Sequence, residues 1–368
     1  MLKILNIKDI NNIKKNIYII NGKILFNKPD QFLETDFEEI KFENDIFVSY
    51  GWMDSHVHCD ETNKIYGSNP EDIGYKMGVT TIVDAGSVGI DGIEKMWEVK
   101  KNLKTDLRIL LNISKKGIYK QSELSNLEDI TFEIDKKYEN FIIGFKARMS
   151  KSVTLNKGIK PLDIFLEERE LKNIKKPLMV HIGNEPPKFS DISKRLRKGD
   201  IITHIYNYKN NSVFNFDYTL TNDLKTCINK GIIFDVGHGS ESFNYKCVNG
   251  TYANGFKPDI ISTDIYNKNI EDGTVKSLAV TMSKFRSIGF EWEEILKMVS
   301  YNPYKHFNLK KMGKIQEGYI ANLTFFKIEK NKLLEFDSLN NSIEIEEEIK
   351  PYAVIVNGNF YEVPKYEK

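Results

Sequence analysis

Short β-branched apolar runs separated by turn chemistry open the chain. Asn16-Ile17-Tyr18-Ile19-Ile20 leads into Asn21-Gly22 and then Lys23-Ile24-Leu25-Phe26, a pattern that predicts a two-residue hairpin. Asp45-Ile46-Phe47-Val48-Ser49 is a further extended piece and runs straight into Gly51–His58. At the far end, 321–326 and 352–358 are again strand-like, the second closing in Asn357-Gly358. Neither end can bury an apolar face alone. Together they predict a small β-sandwich domain built from residues 1–50 and 310–368.

Between those ends the pattern turns to alternation. Candidate strands fall at Gly51–His58, Val79–Ala85, Leu107–Ile113, Phe141–Lys146, Pro177–Ile182, Asp200–His204, Gly231–Val236 and Asp259–Asp264. Stretches such as Ile93–Lys104, Leu162–Lys172 and Trp292–Ser300 lie between or after them and suit helices. Repeated strand–helix units predict a parallel sheet, and eight of them predict a (β/α)8 TIM barrel over residues 51–309. A doubly wound open sheet is the competing α/β fold, but no Gly-x-Gly-x-x-Gly follows an early strand to support it.

Composition narrows the function classes. A 368-residue chain with 40% hydrophobic and 29% charged residues has the makings of a globular protein with a large core. Its net charge of +1 removes a general electrostatic case for nucleic acid or an anionic membrane surface. Three cysteines, Cys59, Cys227 and Cys247, offer no disulfide framework and fit a reducing, cytoplasmic location. No leader pattern and no membrane-length apolar run is present. The expected partner is a small-molecule substrate, and a homo-oligomer is left open.

Barrel enzymes carry their chemistry at the C-terminal ends of the strands. His56 and His58, two apart in an extended run, share a face there. Lys146, His181, His204 and Asp264 end the fourth, fifth, sixth and eighth candidate strands, and His238 follows the seventh. Of six histidines, only His306 falls elsewhere. Imidazole and carboxylate are the ligands of zinc and its neighbours. Four histidines and an aspartate exceed the needs of one open catalytic zinc, so two divalent metals with a bridging ligand are expected. A lysine beside two cations would be driven to the neutral amine, which can take up CO2 as a bridging carbamate. Its alternative role is a cation pairing Asp264 or a substrate carboxylate.

These stretches resemble the amidohydrolase superfamily, in the subtype with a binuclear metal centre and a carboxylated lysine. The resemblance is to dihydroorotase-like and D-aminoacylase-like enzymes and, most of all, to deacetylase-type metallohydrolases. It is carried by Gly51-Trp52-Met53-Asp54-Ser55-His56-Val57-His58, Gly78–Ser87, Gly144–Ser150, His181–Asn184, Thr203–Asn207, Phe234–Ser240 and Ser262–Asp264. Asn302-Pro303 through Gly318 resembles the family's approach to its C-terminal strands. One departure is Asn322, where many relatives carry an aspartate. The resemblance implies that His56, His58 and Asp264 bind the more buried metal, His181 and His204 the more exposed one, and carboxylated Lys146 bridges them. It further implies hydrolysis of an acyl bond, amide or ester, by a hydroxide held between the metals, with Asp264 as the catalytic proton carrier.

The implied substrate is a small acylated compound bearing a carboxylate. Arg148, two residues past Lys146, is a bidentate partner for that carboxylate or a structural arginine at the barrel rim. Tyr206 and Asn207 line the pocket or pack a loop, and His238 contacts substrate, tunes a ligand or simply sits in a tight turn. Cys59 reads as a buried thiol. Ring opening of a cyclic amide, as in dihydroorotase or hydantoinase, is the alternative reaction. A catalytically silent scaffold has no physical reason to hold the ligand set. A mononuclear deaminase would need an acid near the fifth strand, where Glu185 is only loosely placed.

Overall fold

The computed structural model describes residues 1–119 and 122–364. Seven parallel strands follow one another in chain order: β1 (Trp52–Val57), β2 (Val79–Ala85), β3 (Asp106–Asn112), β4 (Ile142–Met149), β5 (Leu178–Ile182), β6 (Ile201–Thr203) and β7 (Ile233–Phe234). Helices such as Ile93–Lys101, Lys160–Leu171 and Trp292–Val299 occupy the stretches read as helical from their periodicity. Every position of β2 is buried, because barrel strands have packing on both faces. Each fully buried aliphatic side chain there contributes about 1.5–3 kcal/mol.

The eighth position of the ring is irregular. Residues 259–265 form no extended ladder, only isolated parallel bridges, Asp235 with Ile260 and Val57 with Ile265. Asp264 N–H donates to the His56 carbonyl at 2.7 Å and His58 N–H to the Ile265 carbonyl at 3.0 Å. Buried Asp54 completes the seam, accepting from Thr263 N–H at 3.1 Å and from the Thr263 hydroxyl at 2.5 Å. The seventh and eighth strands are shorter or less regular than expected, and the Asp54–Thr263 side-chain bonds reinforce the isolated backbone bonds that close the ring here. The TIM barrel is nevertheless closed.

A separate eight-stranded sheet is assembled from both ends of the chain. Lys14–Ile20 and Lys23–Leu25 form the anticipated hairpin, with Asn21 and Gly22 at φ of 50° and 70° as a primed turn requires. At the C-terminus the structure corrects the expectation. The pieces at 321–326 and 352–358 belong to two much longer strands, Leu323–Phe336 and Ser342–Val356, paired antiparallel. That arm lies along the barrel helix Leu278–Ile288: Ile349 N–H donates to the Ser283 hydroxyl at 3.1 Å, and Arg286 Nε to Glu347 at 2.6 Å. Its tip reaches the loop after β7, where Ser338 N–H donates to the Phe243 carbonyl at 2.9 Å and Asp337 accepts Tyr245 N–H at 3.0 Å.

Candidate metal centre

Three imidazoles converge with their Nδ1 atoms anchored behind them. His204 Nδ1 is 2.7 Å from the Gly237 carbonyl, which can only accept, so Nδ1 carries the proton and Nε2 keeps its lone pair. His56 is set by a longer relay. Thr203 Oγ1 donates to Asp235 at 2.6 Å and therefore accepts from His56 Nδ1 at 3.0 Å. Ser262 donates to the other Asp235 oxygen at 2.7 Å, which fixes that carboxylate in turn. His58 Nδ1 lies 2.9 Å from the Ser87 hydroxyl. Outer partners that fix tautomer and ring orientation are the usual support of metal-ligating histidines.

The free faces of these rings meet at Asp264. Its Oδ1 is 3.1 Å from His58 Nε2 and 3.4 Å from His56 Nε2, and its Oδ2 is 4.0 Å from His204 Nε2. His56, His204 and Asp264 present ligand atoms that all lie within 4.8 Å of one another. The His181 ring stands edge-on to His204 at 4.4 Å between centroids. Asp264 and His204 sit at positive φ, 54° and 64°, an uncommon conformation outside glycine that turns both side chains toward the cluster. Gly237 and Gly239 admit this geometry. A Cβ on Gly237 would lie 2.3 Å from Thr203 Oγ1, and one on Gly239 2.6 Å from Asp264 Oδ2.

Lys146 lies inside β4, which runs on to Met149, and its Nζ is 2.7 Å from His56 Nε2 and 3.5 Å from Met179 Sδ. Among the described residues it makes no direct ion pair with Asp264. Burial brings its pKa down to about 7, against the opposing pull of Asp264 and Asp235. Burial also holds His204 down to about 4 and His56 well below its ordinary value. The same burial would raise Asp264, but the facing imidazoles and the His58 contact outweigh it and keep the carboxyl well below the carboxylate range. Neutral imidazoles, an ionised aspartate and a lysine poised to lose its proton form a donor set that fits divalent cations.

The family model for amidohydrolases matches residues 74–360, which spans most of the barrel and the C-terminal strands. The chain belongs to the amidohydrolase family. A deacetylase of Enterococcus faecalis is 38% identical over 330 residues, covering 88% of this chain and 89% of the relative. Among solved structures, one described as an adenine deaminase superposes with a TM-score of 0.92 at 36% identity, covering 98% of this chain and 99% of the other. A dihydroorotase structure follows at 0.86 and 26%, covering 100% and 98%. This amidohydrolase is accordingly a hydrolase built on the barrel that its strand–helix alternation predicts.

The cluster forms the floor of a cavity of about 270 Å³ in the amidohydrolase barrel, walled by Tyr66, Arg148, Ser150, Asn184, Lys209 and Tyr266 among others. Arg148 reaches this cavity, but its Nε and Nη2 are each 2.7 Å from the buried Glu123 carboxylate. Removing one partner of such a buried pair costs about 3–5 kcal/mol. His181 is held well below its ordinary pKa by burial first, then by His204, Arg148, Lys146 and Lys209.

Two sequence candidates do not reach the cavity. Tyr206 is fully buried among Phe214, Phe243 and Phe285, because β6 ends at Thr203 and the chain has turned outward by residue 206. His238 is likewise sealed off, stacked on Phe243 at 4.3 Å with Nε2 3.1 Å from buried Lys284. Asp54 could have been found by strand alternation, since it shares a face with His56 and His58. Thr203, Asp235, Ser87 and Lys209 carried no such signal, because hydroxyls, single acids and lysines at loop positions are commonplace.

Proposed function

We propose that this chain is a metal-dependent deacetylase-type amidohydrolase, cleaving the acyl bond, amide or ester, of a small carboxylate-bearing substrate. The reading rests on one observation, the convergence of His56, His58 and His204 on Asp264 in one cavity, with the Lys146 amine 2.7 Å from His56 Nε2. We assign His56, His58 and Asp264 to a more buried cation, His181 and His204 to a more exposed one, and a carboxylated Lys146 to the bridge between them, with zinc as the expected metal. Bound there, such cations supply Lewis acidity toward the acyl carbonyl and a water activated at neutral pH.

The chain's own residues do the rest. Neutral Lys146 is competent to add CO2, since only the unprotonated amine is a nucleophile. Asp264, ionised and beside His58 Nε2, takes up a proton from the attacking water and returns it to the leaving amine or alkoxide. His56 and His204 hold their Nε2 lone pairs inward because Thr203 and the Gly237 carbonyl occupy their Nδ1 atoms. We divide the chain into a barrel of residues 51–309 and a small domain of 1–50 with 310–368. Three free, buried cysteines support a reducing, cytoplasmic setting.

Ring opening of a cyclic amide is the second reading, favoured by the likeness to a dihydroorotase structure and served by the same ligands. A deaminase would need an acid beside the fifth strand, and Glu185 is exposed and lies outside the cavity wall. The test is metal content per chain together with turnover of N-acyl amino acids, O-acyl hydroxy acids and cyclic imides. Turnover of linear acyl compounds with two metals bound is the expected result. Turnover of the imides alone moves the assignment to the second reading.

A further inference from the structure

A carboxylate-bearing substrate needs a cation in the cavity, and Arg148 and Lys209 are the two cationic wall residues beyond Lys146. The inference that follows rests on the hydrolase reading above. Arg148 is committed to Glu123, whose side chain is only 1% exposed. Lys209 is placed differently. Its side chain is 15% exposed, while its partner Glu241 is 73% exposed at 3.2 Å. An ion pair with one member largely in solvent is weak and screened by salt, so a ligand carboxylate can take its place.

The backbone around Lys209 is fixed with respect to the ligand cluster. Asn207 is 2% exposed and bridges two points of the chain. Its Nδ2 donates to the His204 carbonyl at 2.8 Å, and its Oδ1 accepts the Lys209 N–H at 3.0 Å. Asn207 therefore ties the backbone of His204 to the backbone of Lys209. Asn184 and Ser240 line the same wall and offer further hydrogen-bond donors.

We propose that Lys209 anchors the substrate's carboxylate by displacing Glu241, and that Asn207 is the positioning residue that sets Lys209 relative to His204. The substrate class is then an acylated amino or hydroxy acid whose carboxylate lies toward Lys209 while its acyl carbonyl lies over His181 and His204. The Arg148–Glu123 pair is part of the wall and takes no carboxylate.

The test compares metal-loaded wild type, Lys209→Met, Lys209→Arg and Asn207→Ala on N-acetylalanine and on N-acetylalaninamide, which presents the same acyl bond without the charge. Lys209→Met should raise KM for the acid roughly 10- to 100-fold, with kcat changed far less and the amide unaffected. Lys209→Arg should recover part of the loss. Asn207→Ala, which also frees the His204 carbonyl, should slow both substrates and raise KM for the acid further than for the amide, a split that general loosening of the barrel does not produce. Retention of the acid-over-amide preference in Lys209→Met overturns the assignment. A second arm measures binding of N-mesylalanine, a sulfonamide that cannot be hydrolysed in this way, by calorimetry. Binding that depends on Lys209 in an enzyme that turns over none of the acylated acids sinks the hydrolase reading and leaves the lysine assignment standing. Turnover with binding indifferent to Lys209 does the reverse. Neither turnover nor binding overturns both.

Discussion

Thr203 Oγ1 stands 3.0 Å from His56 Nδ1 and can accept its proton because its own hydrogen is given to Asp235. The hydroxyl thus decides which imidazole nitrogen faces the cavity. Thr203→Val keeps the shape and removes the acceptor. Outer partners of this kind are worth about 10- to 100-fold in metal affinity. Competition with a chelator should show a drop of that size, with the folded far-UV spectrum retained. Unchanged affinity would mean that packing alone orients His56.

Lys146→Ala should lose metal and turnover together. The alanine leaves no nitrogen to carry the proposed bridging carbamate. Short carboxylic acids such as propionate, which carry the same pair of oxygens, should restore part of the rate. Two metals per chain and full activity in the variant, measured by elemental analysis beside the assay, would remove the bridging role.

Asp264→Asn separates ligation from proton transfer. The amide oxygen can still accept or ligate, but it cannot shuttle a proton, and such transfer contributes about 10²–10⁴-fold. The variant should retain at least one metal and lose turnover by that order. A rate within threefold of wild type would show that another group carries the proton.

His306 gives a pH prediction remote from the metal cluster. Burial first, then Lys305, depresses its pKa from 6.5 to about 4 in the folded chain. Above pH 6.5 neither the folded nor the unfolded state binds this proton and the residue has no effect. Between pH 6.5 and about 4 the unfolded chain takes up a proton that the fold refuses, so stability falls as pH is lowered through that window. Allowing for partial exposure, the loss is about 1–2 kcal/mol by pH 4.5. Denaturant melts at pH 7 and pH 4.5 should show it, and His306→Gln should flatten that part of the profile.

Much of the cluster was readable because its members recur at one kind of position. A histidine pair two apart, then a lysine, two histidines and an aspartate on successive barrel segments, is a pattern that follows from local periodicity and barrel topology alone, although Lys146 lies within its strand and Asp264 on a segment with no extended ladder. The long C-terminal arm was harder to read, although Ile343-Glu344-Ile345-Glu346 does alternate, because runs of lysine and glutamate mask the period. Ile345 and Ile349 are nevertheless buried beneath those charges.

Strand–helix alternation, the terminal β-runs and the identity of the ligand side chains are local properties, and they were present in the order of residues before any folding. Which nitrogen of each ring turns inward, whether Arg148 is available to a ligand, and that Tyr206 and His238 are walled off depended on partners far away in the chain. Glu123, Thr203, Asp235 and Lys284 acquire their roles only when closure of the barrel brings them within hydrogen-bond reach. Hydrogen bonds and ion pairs act over a few ångströms of space rather than along the chain, so these choices waited for the tertiary structure.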